Sequence, residues 1–231
     1  MTLSYQTILF DFDGTIAYTR PGVERAIRFA LRSVGVSDQI EPDVMRACIG
    51  PPLTESFVLR LGVPENRIED ALRAFHAEYD DHGAMYDTSL YDGILTCLTA
   101  LKDMGKTLCV ASSKNETACR AILSKLKADD FFDDICGASM DASVEKKSDV
   151  LALLFQRHPD FRRKTSLLIG DTIYDMKGAH SFGIDAAGVT WGFGNAADLS
   201  REGAIILFDH PNKISEYFAG HSKILKAGEC S

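Results

Sequence analysis

Thr7-Ile8-Leu9-Phe10-Asp11-Phe12-Asp13-Gly14-Thr15 is the stretch whose reading decides the fold of this 231-residue chain. It begins as an apolar run between polar residues, the mark of a short buried strand. Two carboxylates follow, two residues apart. Alternate strand residues share a face, so Asp11 and Asp13 point the same way if the strand geometry continues. Like charges set side by side are costly unless a cation or a shared proton relieves them. Gly14 permits a sharp turn and a close approach of backbone to a ligand. Open α/β sheets place their ligands at the carboxyl ends of such strands. By itself the stretch reads equally well as a strand closed by an acidic Asp-Gly turn.

A second stretch changes the balance. Ser166-Leu167-Leu168-Ile169-Gly170-Asp171 is another apolar run ending in an acid. It continues as Thr172-Ile173-Tyr174-Asp175 into a helix through Met176, Ala179 and His180. Asp-Phe-Asp-Gly-Thr early and Gly-Asp-Thr-Ile-Tyr-Asp late resemble the first and last motifs of the haloacid dehalogenase-like phosphohydrolases. The resemblance runs over roughly residues 5–17 and 88–215.

Between the two stretches, strands and helices alternate. Ile94 to Met104 reads as a helix closed by Gly105, and Thr107 to Ala111 as a buried strand. Thr117 to Leu126 is a helix, Asp134 to Gly137 a weak strand, and Ser148 to Arg157 a helix. Beyond Ser166 to Ile169, further strands are expected at Ala186 to Trp191 and Ala204 to Leu207, and the tail from about His221 is polar. This alternation predicts a parallel sheet covered on both faces. Residues 18–87 break it. From Val23 the apolar positions Val23, Ala26, Ile27, Ala30, Leu31 and Val34 follow helical spacing. Helices separated by Gly and Pro turns continue to about Tyr86, and no strand is expected between Tyr18 and Asp87. The expected fold class is therefore α/β, a Rossmann-like parallel core of residues 1–17 and 88–231 with an inserted all-α unit at 18–87.

Composition narrows the function classes. Hydrophobic content of 45% and charged content of 25% are ordinary for a globular protein. A net charge of −8 argues against nucleic acid or an anionic membrane as partner. No apolar run approaches the ~18 residues of a membrane span. The first strand follows the N-terminus at once, so no signal peptide is expected. The six cysteines (Cys48, Cys97, Cys109, Cys119, Cys136, Cys230) form no Cys-x-x-Cys pair and read as reduced thiols. A cytoplasmic protein is the expectation.

Two intermediate stretches carry the rest of the chemistry. Ser112-Ser113-Lys114-Asn115 ends one strand and opens a helix. Hydroxyls and free N–H groups there form an anion site, or simply a helix cap. Glu145-Lys146-Lys147-Ser148-Asp149 opens another helix. The resemblance implies that Ser112 is the second motif, with Ser113 beside it, and that a lysine of the second stretch is the third motif and holds the phosphoryl group. Lys147 fits better, because it stands just ahead of Asp149-Val150-Leu151; Lys146 stays open.

What the resemblance implies is a magnesium-dependent phosphatase acting on a small phosphate monoester. Asp11 would be nucleophile and Mg2+ ligand. Asp13 would be the general acid and then base, lending its backbone carbonyl to the metal. Asp171 would ligate the metal, and Asp175 would reach it through water or brace its ligands. Gly14 and Thr15 would fix the turn. Oxygen-only ligation suits magnesium, and a carboxylate nucleophile divides one hard step into two. The inserted helices resemble the cap of phosphoglycolate phosphatases, 5′-nucleotidases and β-phosphoglucomutases. Arg46 and Gly50, in Arg46-Ala47-Cys48-Ile49-Gly50-Pro51-Pro52, are its candidate substrate-facing positions. Asp13 departs from the dehalogenases proper, which lack it. Residues 18–87 hold no lysine, the first being Lys102, so Schiff-base chemistry of the phosphonoacetaldehyde hydrolase type is excluded. A phosphosugar mutase and a non-catalytic binding module on the same core are the alternatives. The expected partner is a small phosphorylated metabolite, with the protein a monomer or homodimer.

Overall fold

The computed structural model describes residues 5–51, 53–139 and 143–227. Pro52 and Cys230 lie outside them. The chain divides into two compact units, one formed by residues 1–16 and 90–231, the other by residues 17–89.

In chain order the elements are β1 (Thr7–Phe10), β2 (Ala17–Tyr18), α1 (Arg20–Ser33), α2 (Pro42–Ala47), α3 (Leu53–Leu59), α4 (Ile68–His76) and β3 (Ser89–Leu90). There follow α5 (Ile94–Asp103), β4 (Thr107–Asn115), α6 (Glu116–Lys125), β5 (Asp134–Ala138), α7 (Lys147–Arg157), β6 (Ser166–Gly170) and α8 (Ile173–Phe182). The last are β7 (Asp185–Val189), α9 (Ala196–Arg201), β8 (Leu207–Phe208) and α10 (Pro211–Ala227).

Six strands form one sheet in the order β5-β4-β1-β6-β7-β8, and every neighbouring pair is parallel. This is the α/β core expected from the alternation of elements. β1 lies inside the sheet: Thr7 pairs with Thr107 on one side and Ser166 on the other, Phe10 with Val110 and Ile169. Its apolar run is explained by that place, since Ile8, Leu9 and Phe10 are wholly buried and a parallel strand has helices on both faces. One layer of core joins Leu9, Cys109 and Leu168 of three strands to Val150, Leu151 and Leu154 of α7 and Met176 and Ala179 of α8.

Parallel strands end on one edge. The residues after β1 and β6, the end of β4 and the start of α7 therefore meet there, on either side of the point where the strand order reverses from β1.

Three local expectations shift. β4 runs on through Asn115 because Ser112 pairs with Gly137 and Asn115 with Ala138 across a register shift. The expected strand at 204–207 is instead Leu207–Phe208, where β7 offers its edge. The polar C-terminal stretch continues as α10, which buries Ile214 and Phe218.

The second unit is helical. α1 presents Val23, Ala26, Ile27, Ala30 and Leu31 to its interior, and Phe57, Phe75 and Tyr79 form an aromatic core, with Phe75 and Tyr79 stacked. The helical path widens into a π turn over Ala77–Asp81. There Glu78 is buried and accepts from Arg25 at 2.6 Å. β2 and β3 pair as a two-stranded ribbon where the chain leaves and re-enters the sheet unit. Among the described residues no helix is long and apolar enough to cross a membrane.

Candidate active site

Asp11 follows β1 and keeps one strand step further, its N–H donating to the carbonyl of Ile169 at 2.9 Å. Its carboxylate is buried and faces Lys147, whose Nζ donates to Asp11 Oδ1 at 2.6 Å and to the carbonyl of Ala111 at 2.8 Å. The same Nζ lies 2.9 Å from Asp175 Oδ1. Lys147 is the first residue of α7, and its stem passes over Gly178 of α8, where a Cβ would stand 2.5 Å from Lys147 Cβ. Lys146 is exposed.

Asp175 has two duties. Its Oδ2 accepts from the N–H and the hydroxyl of Thr172, both at 2.9 Å, which caps α8. That leaves Oδ1 for Lys147. Gly170 is needed beside it, since a Cβ there would run into the Asp175 carboxyl.

Asp171 follows β6 and is fully buried. Thr15 Oγ1 donates to its Oδ1 at 3.3 Å and the Phe193 N–H to its Oδ2 at 2.7 Å. Gly14 has φ +82°, and a Cβ at that position would collide with the Asp171 carboxylate. Glycine is therefore required twice over, for the backbone angle and for the space.

Asp11, Asp171 and Asp175 each offer an oxygen, and these atoms lie within 4.8 Å of one another. Three buried carboxylates against one lysine leave an excess of negative charge. Burial, then the charge of Asp175, pushes the Asp11 carboxyl up to about 6, with Lys147 opposing the rise. Burial, then the charges of Asp175 and Asp11, pushes Asp171 well above the carboxylate range. Burial works against the Lys147 ammonium, but Asp11 and Asp175 outweigh it and hold it above its ordinary value. Thr15 and Phe193 occupy one lone pair on each Asp171 oxygen. An all-oxygen donor set with surplus negative charge fits a hard divalent cation.

Asp13 stands apart from that trio. It is half-buried, and its two oxygens lie 3.2 and 3.3 Å from Lys114 Nζ. Ser112 is buried within β4, three residues before its end, where its Oγ accepts from the Lys114 N–H at 3.2 Å; Ser113 is half-buried beside it. Arg46 and Gly50 belong to the helical unit, Arg46 exposed in the last turn of α2 and Gly50 in the turn that follows at φ +108°. Five cysteines are buried and free, and burial pushes the thiols of Cys97, Cys109 and Cys136 up to about 12, which leaves them inert.

Sequence reasoning missed two contributors. Lys114 sits inside the stretch quoted for its serines, yet its reach to Asp13 depends on strands 101 residues apart in sequence. The loop Trp191-Gly192-Phe193-Gly194 touches Asp171 and the first turn. Two glycines around an aromatic, just past a buried strand on the same sheet edge, were the available signal.

Residues 8–189 match the family model described as haloacid dehalogenase-like hydrolase. The chain belongs to that family. Among its relatives, this hydrolase is 34% identical over 199 residues to a protein of Pseudomonas aeruginosa named 5′-nucleotidase, covering 85% of this chain and 88% of that one. It is 35% identical over 205 residues to the tyrosine-protein kinase PtkA of Mycobacterium tuberculosis, covering 88% and 68%. The crystal structure of a predicted phosphatase from Clostridium acetobutylicum superposes with a TM-score of 0.87 at 28% identity, covering 94% of this chain and 99% of that one.

Proposed function

We propose that this hydrolase is a magnesium-dependent phosphatase that cleaves a small phosphate monoester through an aspartyl-phosphate on Asp11. The observation that carries the reading is the buried Asp11 carboxylate, held by Lys147 at 2.6 Å beside Asp171 and Asp175. Magnesium on Asp11, Asp171 and the Asp13 backbone would supply neutralisation of the ester's negative charge. Asp175, through its ion pair with Lys147, braces that set.

The protein's own steps follow. Lys147 and the hydroxyls of Ser112 and Ser113 hold the phosphoryl oxygens and keep phosphorus in front of Asp11. An Asp11 oxygen attacks phosphorus, and the bond from phosphorus to the leaving oxygen breaks. Asp13 gives that oxygen a proton. The carboxylate of Asp13 then takes a proton from water, which attacks the aspartyl-phosphate and releases inorganic phosphate. Lys114 is paired with Asp13 at 3.2 Å and restrains this side chain. Residues 18–87 are assigned selection of the alcohol part, with Arg46 and Gly50 as its positions. The 5′-nucleotidase relative supports including nucleoside monophosphates among the substrates.

The experiment is hydrolysis of p-nitrophenyl phosphate, followed by a panel of nucleotides, sugar phosphates and phosphoglycolate, with EDTA and with restored Mg2+. Phosphate release that EDTA abolishes and Mg2+ restores is expected. Asp13→Asn sharpens the test: loss on the order of 10²–10⁴-fold is expected for alkyl phosphates, and much less for p-nitrophenyl phosphate, whose leaving group needs no proton. Equal losses on both exclude Asp13 as the acid, and no hydrolysis across the panel overturns the reading.

A further inference from the structure

Asp171 is held from two sides, and both supports lead to one loop. The Phe193 N–H donates to Oδ2 at 2.7 Å, and the Thr15 hydroxyl to Oδ1 at 3.3 Å. The indole Nε1–H of Trp191 donates to the carbonyl of Thr15 at 3.1 Å. The contacts close a ring: Trp191 to Thr15, Thr15 to Asp171, Asp171 to Phe193, and back through Gly192 to Trp191.

The glycines set how tightly the ring closes. A Cβ on Gly192 would run into the Asp171 carboxylate and would stand 2.5 Å from the carbonyl of Gly14. A Cβ on Gly194 would strike the carbonyl of Asp171. Bare backbone therefore lies directly against the acid. The first turn is tied elsewhere too, by Ile16 N–H to Phe12 O at 3.1 Å and Tyr91 N–H to Ile16 O at 3.1 Å. Trp191 is a tie that comes from the loop also holding Asp171.

We propose that Trp191 is a positioning residue for the metal centre. Through the Thr15 carbonyl it sets the distance between the turn that bears Asp13 and the carboxylate of Asp171, and so fixes divalent-cation affinity. The inference rests on the metal-dependent reading given above. The physical reason is that Mg2+ demands near-ideal octahedral geometry, so ligands on two different strand ends must be held in register. Groups that orient a metal ligand from behind typically change affinity or activity by ~10–100-fold when removed.

The test uses the full chain, stripped with EDTA and dialysed. Trp191→Phe keeps an aromatic ring and removes the donor, together with part of the indole's packing surface. Isothermal titration calorimetry with MgCl2 reads metal binding directly, and thermal unfolding in EDTA reads the fold. The expected result is a Mg2+ dissociation constant about 10-fold above wild type, with the unfolding temperature in EDTA little changed. Saturating Mg2+ should recover most of kcat. Gly192→Ala, which pushes against the carboxylate itself, should weaken Mg2+ at least as much. A folded Trp191→Phe protein that binds Mg2+ like wild type overturns the proposal. If Trp191→Phe does not fold, Gly192→Ala decides by the same two measurements, unchanged affinity overturning the proposal. Wild-type protein that binds no Mg2+ overturns the metal-dependent reading, and this inference with it, a pattern distinct from a variant-specific result.

Discussion

Two kinds of ion pair, one taken from each unit of this hydrolase, use charge in opposite ways. In the helical unit the ion pairs are mostly local and wet. Arg20 and Arg28 pair with Glu24, and Arg67 and Arg73 with Asp70, each three or four residues away on a helix surface. In the sheet unit Lys147 meets Asp11 across 136 residues of sequence with a side chain 4% exposed. The first kind is screened by water and contributes little. The second kind places charges where water cannot repair a missing partner, so removing one is strongly destabilising. The difference shows where the protein tolerates change and where it does not.

The hardest blow to the buried set is Asp11→Asn. An amide is neither a nucleophile nor a good magnesium ligand. Removing a covalent nucleophile can cost on the order of 10⁶ in kcat, so turnover should fall below detection. The fold should survive, because the substitution removes one of three crowded carboxylates and Lys147 still has Asp175 2.9 Å away. Steady-state assays and circular dichroism on one sample check it; substantial turnover with native structure removes Asp11 as nucleophile.

Lys147→Ala should strike both rate and stability. The ammonium is the counter-charge to Asp11 and Asp175, and its loss leaves them facing one another in a closed site. A loss of ~10²-fold or more in kcat/KM is expected, together with roughly 3–5 kcal/mol of stability in EDTA. Urea unfolding with and without Mg2+ separates the two, since bound metal should restore part of the stability.

The pH dependence of metal stabilisation is a milder test of the same crowding. Asp11 titrates near 6 in the folded protein and near 3.8 ordinarily. Between those values the native state binds more protons than the unfolded state. Stability of the metal-free protein should therefore fall as pH rises through the window, the sign opposite to that of a salt-bridged acid with a depressed pKa. Mg2+ needs the ionised carboxylates. At about 100-fold over its dissociation constant it should add ~2.7 kcal/mol at pH 7.5, or roughly 5–10 °C for a chain of this size, and much less at pH 5. A thermal shift independent of pH would show that these carboxylates do not bind the metal.

The same contrast explains what could be read before any coordinates. Strand β1, strand β6 and the acids after them were legible because each is a contiguous pattern, an apolar run followed by a fixed motif. α1 was legible from its period alone. Lys114 was not, since nothing near residue 114 says that Asp13 lies within 3.3 Å. Nor was the Trp191–Gly194 loop: its glycines and aromatics mark a tight turn, but not that the Trp191 indole and the Phe193 N–H reach Thr15 and Asp171. α10 was missed because only a few apolar residues, among them Ile214 and Phe218, mark its buried side within a polar stretch.

The smallest effect expected is the most discriminating for register. Lys146 and Lys147 are neighbours in sequence, but they occupy different environments. Lys146 is the N-cap of α7, with extended backbone at φ −76° and ψ 151°. Its N–H donates to Asp149 Oδ2 at 3.3 Å, a bond made by backbone that any side chain preserves. Its own side chain is exposed, so in stability it belongs with the wet pairs of the helical unit. Lys146→Ala should stay within about ±0.5 kcal/mol of wild type and turn over at a near-native rate. Measured beside Lys147→Ala, it tests the whole contrast with one atom group moved by one residue. If Lys146→Ala proves the inactive variant and Lys147→Ala the silent one, the phosphate-holding lysine is Lys146, and the buried ion pair serves the fold instead of the reaction.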